Sequence, residues 1–182
     1  KLTKILNGDE RPVTLVSSRL DEKKNIIGVV WAYARSRALQ ERAGLVICIR
    51  GIDNPEHDVQ SLGASEKLVL EEILQAISEA EMRGNPYFLN IGSQAELAAS
   101  YRYFADRGSI FALTSFYEPF GLAPIEAAAS GLATVTTKNG GPSEIFSDGS
   151  GVLVDPFSEE DIARGIIEGL TRQKELSLKG IT

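Results

Sequence analysis

Six short runs rich in apolar and β-branched residues punctuate the chain: VTLVSS at 13–18, LVICIR at 45–50, YFLNIG at 87–92, SIFALTS at 109–115, ATVTTK at 133–138 and GVLV at 151–154. Each run is mostly continuous rather than alternating, as expected of strands covered on both faces. Between them apolar residues recur at helical spacing, which predicts helices at about 25–40, 65–82, 94–106, 121–130 and 158–170, and a short one near 142–147. Strands alternating with helices imply an α/β fold, an open parallel sheet of about six strands with helices on both faces. On such a sheet a ligand binds beyond the carboxyl ends of the strands, near the point where strand order reverses. The segment GIDNPEHDVQSLGAS, 51–65, is the least regular and reads as a polar loop. With no internal repeat, low-complexity tract or linker, residues 1–182 read as one domain.

Composition fits that picture and narrows the partners. The 182 residues are 43% hydrophobic and 24% charged, enough for a self-sufficient core. A formal net charge of -6 argues against a nucleic-acid backbone or an anionic membrane as the main partner, so any anionic ligand must be held by local charge. No apolar run approaches the roughly 20 residues of a bilayer span. Cys48 is the single cysteine and sits inside LVICIR, which points to a buried structural thiol and a reducing, cytoplasmic setting. His57, the single histidine, lies in the polar loop without the Cys or His neighbours a metal site requires, and no role is assigned to it. A chain that opens on Lys1 and closes on SLKGIT soon after a helix reads as a piece of a longer protein.

Every segment with candidate chemistry follows a predicted strand. After 13–18 comes SSRLDEKKN, in which Arg19 closes the strand and Lys24 stands just before a helix start. A cation at a strand tip and an ammonium beside free helix N–H groups make a plausible diphosphate clamp, although a merely charged loop has the same composition. After 109–115 comes FYEPFGLAPIE, with Glu118 and Glu126 eight positions apart. Gly121 permits close backbone approach, and the helix beginning there aims its N–H groups at the same space. Carboxylates are poor phosphate neighbours but good acceptors for vicinal hydroxyls, so two of them flanking an anion cradle suggest sugar on both sides of phosphate. The plainer alternative makes Glu118 a cap and Glu126 a surface residue. AAAS after Glu126 weakens that alternative, because the helix looks apolar nearly all round and therefore buried. After 133–138, TKNGGPSEI offers Gly140 and Gly141 as a close turn that either faces the ligand or simply connects strand to helix. After 87–92, Ser93 and Gln94 offer polar edges to a base, while Ser93 with Glu96 also fits a helix capping box.

SRLDEKKN, then EPFGLAPIE as Glu-x7-Glu, then NGGPSEI, in that order on a parallel sheet, resembles the C-terminal, Rossmann-like half of the retaining GT-B glycosyltransferases of family four. Within that family the wording of RGIDNP and GVLVDP is most similar to its sucrose-phosphate-forming branch, with mannosylfructose-phosphate formation close by. The resemblance runs from about Val13 to Leu170. It implies that Arg19 and Lys24 hold the donor diphosphate and that Glu118 accepts from the donor hexose. Phe120, Gly121 and Leu122 form the turn whose amides meet sugar and phosphate. Glu126 takes the ribose hydroxyls, and the segment around Ser93, Gln94 and Leu97 holds the base. The implied donor is UDP-glucose and the implied acceptor fructose 6-phosphate, bound by an N-terminal domain of the same enzyme. No essential metal or further cofactor is implied, and no Asp-x-Asp metal motif stands out. A dinucleotide oxidoreductase is disfavoured because the first strand leads into SSRLDEKKN and not a G-x-G-x-x-G turn. A non-catalytic binding module is the remaining alternative.

Overall fold

The computed structural model describes residues 2–181. Strands β1 (Val13–Ser17), β2 (Gly44–Cys48), β3 (Tyr87–Leu89), β4 (Ile110–Leu113), β5 (Ala133–Thr137) and β6 (Val152–Val154) form one sheet in the order β3-β2-β1-β4-β5-β6. All neighbours run parallel, and each strand falls within, or begins one residue before, a run predicted from the sequence. The chain builds outward from β1 to β3, then crosses back to place β4 on the other side of β1. That reversal opens a crevice beyond the carboxyl ends of β1 and β4.

The helices are α1 (Leu2–Ile5), α2 (Ile26–Arg35), α3 (Arg37–Arg42), α4 (Pro55–Asp58), α5 (Ala64–Glu79), α6 (Gln94–Asp106), α7 (Leu122–Ala129), α8 (Gly141–Ile145), α9 (Glu159–Thr171) and α10 (Gln173–Ile181). Successive strand residues point to opposite faces, which divides the core in two. Leu45 and Ile47, Ile110 and Ala112, and Ala133 and Val135 pack with α2, α5 and α9. Val13 and Leu15, Val46 and Cys48, and Phe111 and Leu113 pack with α6 and α7. Continuous apolar runs in the sequence thus reflect two buried sheet faces.

Several expectations need correction. The helix predicted for 25–40 is broken at Ser36, which is extended and accepts from Leu39 N to cap α3. The segment 51–65 is built rather than loose. Asp58 accepts from Asp53 N and Asn54 N, Asn54 caps α4, and Ile52 and Val59 are buried. Helix α10 was not anticipated because QKELSLK buries only Leu176 and so lacks a core-facing stripe. Arg172, at the junction, pairs with Glu168 on one side and Glu175 on the other. Helix α7 is not buried all round. Pro124, Ala127 and Ala128 are buried, Ala127 in the sheet core and Ala128 beside Gly180 of α10, while Leu122, Ile125 and Glu126 face outward.

Gly165 in α9 shows how closely helix and sheet approach, since a Cβ there would overlap Val154 Cγ1. In an exposed helix Gly→Ala gains about 1 kcal/mol. Here Gly165→Ala should instead cost about 1–3 kcal/mol through overpacking, read as a lower urea midpoint. A stabilised variant would show that α9 packs further out.

Candidate functional site

Two loops meet in the crevice, residues 18–25 after β1 and 114–121 after β4. The first is folded by Asp21, whose side chain accepts from Lys23 N over a short turn of 3-10 helix at Glu22–Lys24. Asn25 then adopts a left-handed conformation, φ 52°, and α2 begins. Its buried side-chain amide donates to Thr114 O at 3.1 Å and to Pro156 O at 2.9 Å. Phe116 N donates to Lys23 O at 3.0 Å. The ends of β1, β4 and β6 are therefore stitched together. Gly28, one helical turn on, has no Cβ to strike the Asn25 side chain.

This stitching sets Lys24 Nζ 2.7 Å from Glu118 Oε2, with both side chains largely shielded from solvent. Ser115 Oγ lies 3.5 Å from the same oxygen. The Glu118 backbone is gripped from the other side. Its N–H donates to Asn139 O at 3.1 Å, its carbonyl accepts from Gly141 N at 2.9 Å, and Asn139 Nδ2 donates to Phe116 O at 3.0 Å. A Cβ at Gly140 would overlap the Glu118 carbonyl, and one at Gly141 would lie 2.6 Å from Pro119 O. The missing side chains of this glycine pair thus make room for the Glu118 loop. Gly121 sits at the N-cap of α7 with φ 76°, a conformation open to glycine at little cost, and its helix has no side-chain cap. The first N–H groups of α7 are left for another acceptor. Phe120 and Leu122 turn their side chains to solvent.

A cleft of about 480 Å³ opens beside this head group. Arg19, Ser93, Gln94, Leu97 and Glu126 line it, together with Arg50, over a floor that includes Ser17, Cys48, Ile91 and Tyr101. Burial pushes the Tyr101 phenol well above its ordinary pKa, against a hydrogen bond with Ser17. Ser93 caps α6 by accepting from Glu96 N at 3.2 Å, and Glu96 Oε2 accepts from Gly92 N at 2.8 Å. Arg19 and Glu126 are exposed, and neither makes a side-chain hydrogen bond or ion pair among the described residues. The sequence-predicted residues thus divide into two adjoining groups. Arg19, Ser93, Gln94, Leu97 and Glu126 share the cleft, whereas Lys24, Glu118, Phe120, Gly121, Leu122, Gly140 and Gly141 surround the head of α7. Sequence reasoning missed Asn25, Thr114 and Asn139, which hold the two loops together. Asn just before a helix with Gly three residues on was the available signal for Asn25.

Residues 2–179 match the family described as glycosyl transferases group 1. The chain belongs to that family. It is 35% identical over 169 residues to the sucrose-phosphate synthase of Zea mays, covering 92% of this chain and 15% of that protein. It is 38% identical over 158 residues to the sucrose synthase of Beta vulgaris, covering 84% of this chain and 20% of that one. The chain therefore spans less than a quarter of these relatives. Among solved structures, the sucrose-phosphate synthase of Thermosynechococcus elongatus superposes with a TM-score of 0.76 at 23% identity, over 98% of this chain and 42% of that one. Anabaena HepE, solved with UDP and glucose, gives 0.75 at 21% identity, over 99% of this chain and 45% of that one. These neighbours share the open six-stranded parallel sheet of the GT-B fold. Among the described residues no helix is long and apolar enough to cross a membrane, and no cluster of three or more His, Cys, Asp or Glu is placed to hold a metal.

Asn25→Ala should cost about 2–4 kcal/mol in chemical denaturation, combining left-handed strain of about 1–2 kcal/mol with two lost hydrogen bonds. Asn25→Gly should recover only the strain. Equal stability of the two variants would show that backbone conformation contributes nothing.

Proposed function

We propose that the chain is the donor-binding domain of a retaining hexosyltransferase that moves glucose from UDP-glucose to fructose 6-phosphate, as a sucrose-phosphate synthase does. The carrying observation is the row of groups beyond β3, β2, β1 and β4. Polar edges at Ser93 and Gln94 come first, then Glu126 and Arg19, then the free amides of α7, then Lys24 and Glu118. A nucleoside, a diphosphate and a hexose laid along that row meet donors and acceptors in the matching order. The maize relative and the Anabaena structure support the same ligand class.

On this reading Glu126 accepts from the ribose hydroxyls, Arg19 and the α7 amides take the diphosphate, and Glu118 accepts from the hexose. Lys24 stands between diphosphate and Glu118. As the acceptor oxygen bonds to the anomeric carbon, the carbon–oxygen bond to the diphosphate breaks on the same face, and the acceptor proton passes to a leaving phosphate oxygen. Arg19, Lys24 and the helix terminus stabilise the charge that develops there. The acceptor pocket belongs to an N-terminal domain of the longer enzyme, and the setting is cytoplasmic. A second reading, with free fructose as the acceptor, is favoured by the higher identity to the beet sucrose synthase.

Calorimetry on this chain tests the donor assignment. UDP and UDP-glucose should bind, and Glu126→Ala should weaken both by about one to two decades, the worth of a hydrogen bond to a charged group. NAD binding without a response to UDP would overturn the reading. Nucleoside diphosphate release by the full-length enzyme, with fructose 6-phosphate against fructose, separates the two acceptors.

Glu118→Gln should weaken UDP-glucose by about one to two decades while leaving UDP unchanged or tighter, because it releases Lys24 from its carboxylate partner. Equal losses for both ligands would refute the hexose assignment.

A further inference from the structure

We infer that Arg50 is a second phosphate-binding cation of the cleft, acting beside Arg19 on the phosphate nearest the nucleoside. This rests on the nucleotide-sugar reading above. Sheet register places the two arginines together. Ser17 of β1 pairs with Cys48 of β2, and each arginine lies two residues beyond its strand partner. Neighbouring strands run about 4.8 Å apart, so the two long cationic side chains leave adjacent strand tips, and both line the same cleft. Both are exposed, and neither makes a side-chain hydrogen bond or ion pair among the described residues.

Adjacent like charges repel, and they do so here on a chain whose net charge is -6, so they are no by-product of a generally basic surface. The carboxylates that share the cleft, Glu66 and Glu126, form no ion pair with either arginine. An anion between the two guanidinium groups relieves the repulsion, and phosphate suits their planar donor geometry.

The loop that carries Arg50 is fixed. Arg50 and Gly51 are the central residues of a turn closed by Ile52 N donating to Ile49 O at 3.3 Å. Gly51 takes φ 84°, as a type II turn requires at that position. Gly51 N donates to Asn90 Oδ1 at 2.8 Å, Asn90 Nδ2 donates to Asp53 Oδ2 at 2.9 Å, and Ile52 is buried. Strand order then gives the position along the ligand. β2 lies between β3, whose following loop carries Ser93 and Gln94, and β1, which leads to Arg19. Arg50 therefore stands on the base side of Arg19, which on the nucleotide-sugar reading is the side of the phosphate nearest the nucleoside.

Titration calorimetry of the chain and its Arg50→Gln and Arg50→Lys variants with uridine, UMP and UDP tests this. Arg50→Gln should weaken UMP and UDP by about tenfold, leave uridine unchanged and make UDP binding less sensitive to salt. Arg50→Lys should recover part of the loss. The side chain is exposed, so the melting temperature should not move. Unchanged UMP and UDP affinity, or an equal loss for uridine, overturns the inference. Failure of the unmodified chain to bind UDP instead overturns the nucleotide reading itself.

Discussion

Asn25 is held in a left-handed backbone conformation because its side-chain amide satisfies two carbonyls at once, one at the end of β4 and one beyond β6. A buried amide with fewer partners would cost more than the conformation does. The consequence reaches well past one residue. With Asn25 fixed, the preceding Lys24 reaches across the crevice to Glu118, and α2 starts where its apolar face meets the sheet. The residue that follows β1 at the reversal of strand order is thereby tied to the far side of that reversal, and the two halves of the candidate site cannot drift apart independently.

Glu118 is held with similar economy, through backbone rather than side chain. Its N–H and carbonyl are engaged by the loop after β5, and the approach is close enough to exclude any Cβ at Gly140. The carboxylate is then free to serve an ion pair without also having to anchor its loop. Because both side chains are largely shielded from solvent, removal of either partner would strand a charge. The stacking of Phe116 on Phe157, with ring centroids 4.9 Å apart, adds an apolar clasp between the β4 and β6 loops. Lys138 pairs with Asp155 close by and holds that carboxyl below its usual range.

The sheet was legible because two-sided burial leaves continuous apolar runs that few other structures require. The placement of Arg19 and Glu118 beyond strand tips followed from those runs directly, and Glu126 lies one turn into the helix that follows β4. What the sequence concealed was reciprocity between loops distant in the chain. Nothing local marks Asn25 as a bridge to Thr114, since the bond depends on β4 lying next to β1. Gly140 and Gly141 had two readings, ligand contact or plain connection, and the geometry gives them a third use against the Glu118 backbone. The predicted burial of α7 failed for a related reason. Alanines near Glu126 suggest an apolar helix all round, but only Pro124, Ala127 and Ala128 are buried, and Leu122 and Ile125 are exposed on the other side.

The two ends of the site differ in what a ligand must displace. At the cleft, Arg19 and Glu126 have no side-chain hydrogen bond or ion pair among the described residues, so on the proposed reading a nucleotide gains their contacts without breaking any such interaction. At the head of α7, Lys24 and Glu118 already satisfy each other at 2.7 Å. A diphosphate that recruits Lys24 must share it with Glu118, and a hexose that donates to Glu118 compensates the carboxylate for what it gives up. On the proposed reading, binding strength belongs mainly to the nucleotide end, where it is uniform between ground and transition states. The paired end contributes most as charge builds on the departing diphosphate, when the attraction for Lys24 rises and the exchange of partners becomes favourable. An ion pair poised between hexose and phosphate suits transfer better than two unpaired groups would, because its rearrangement follows the reacting charge.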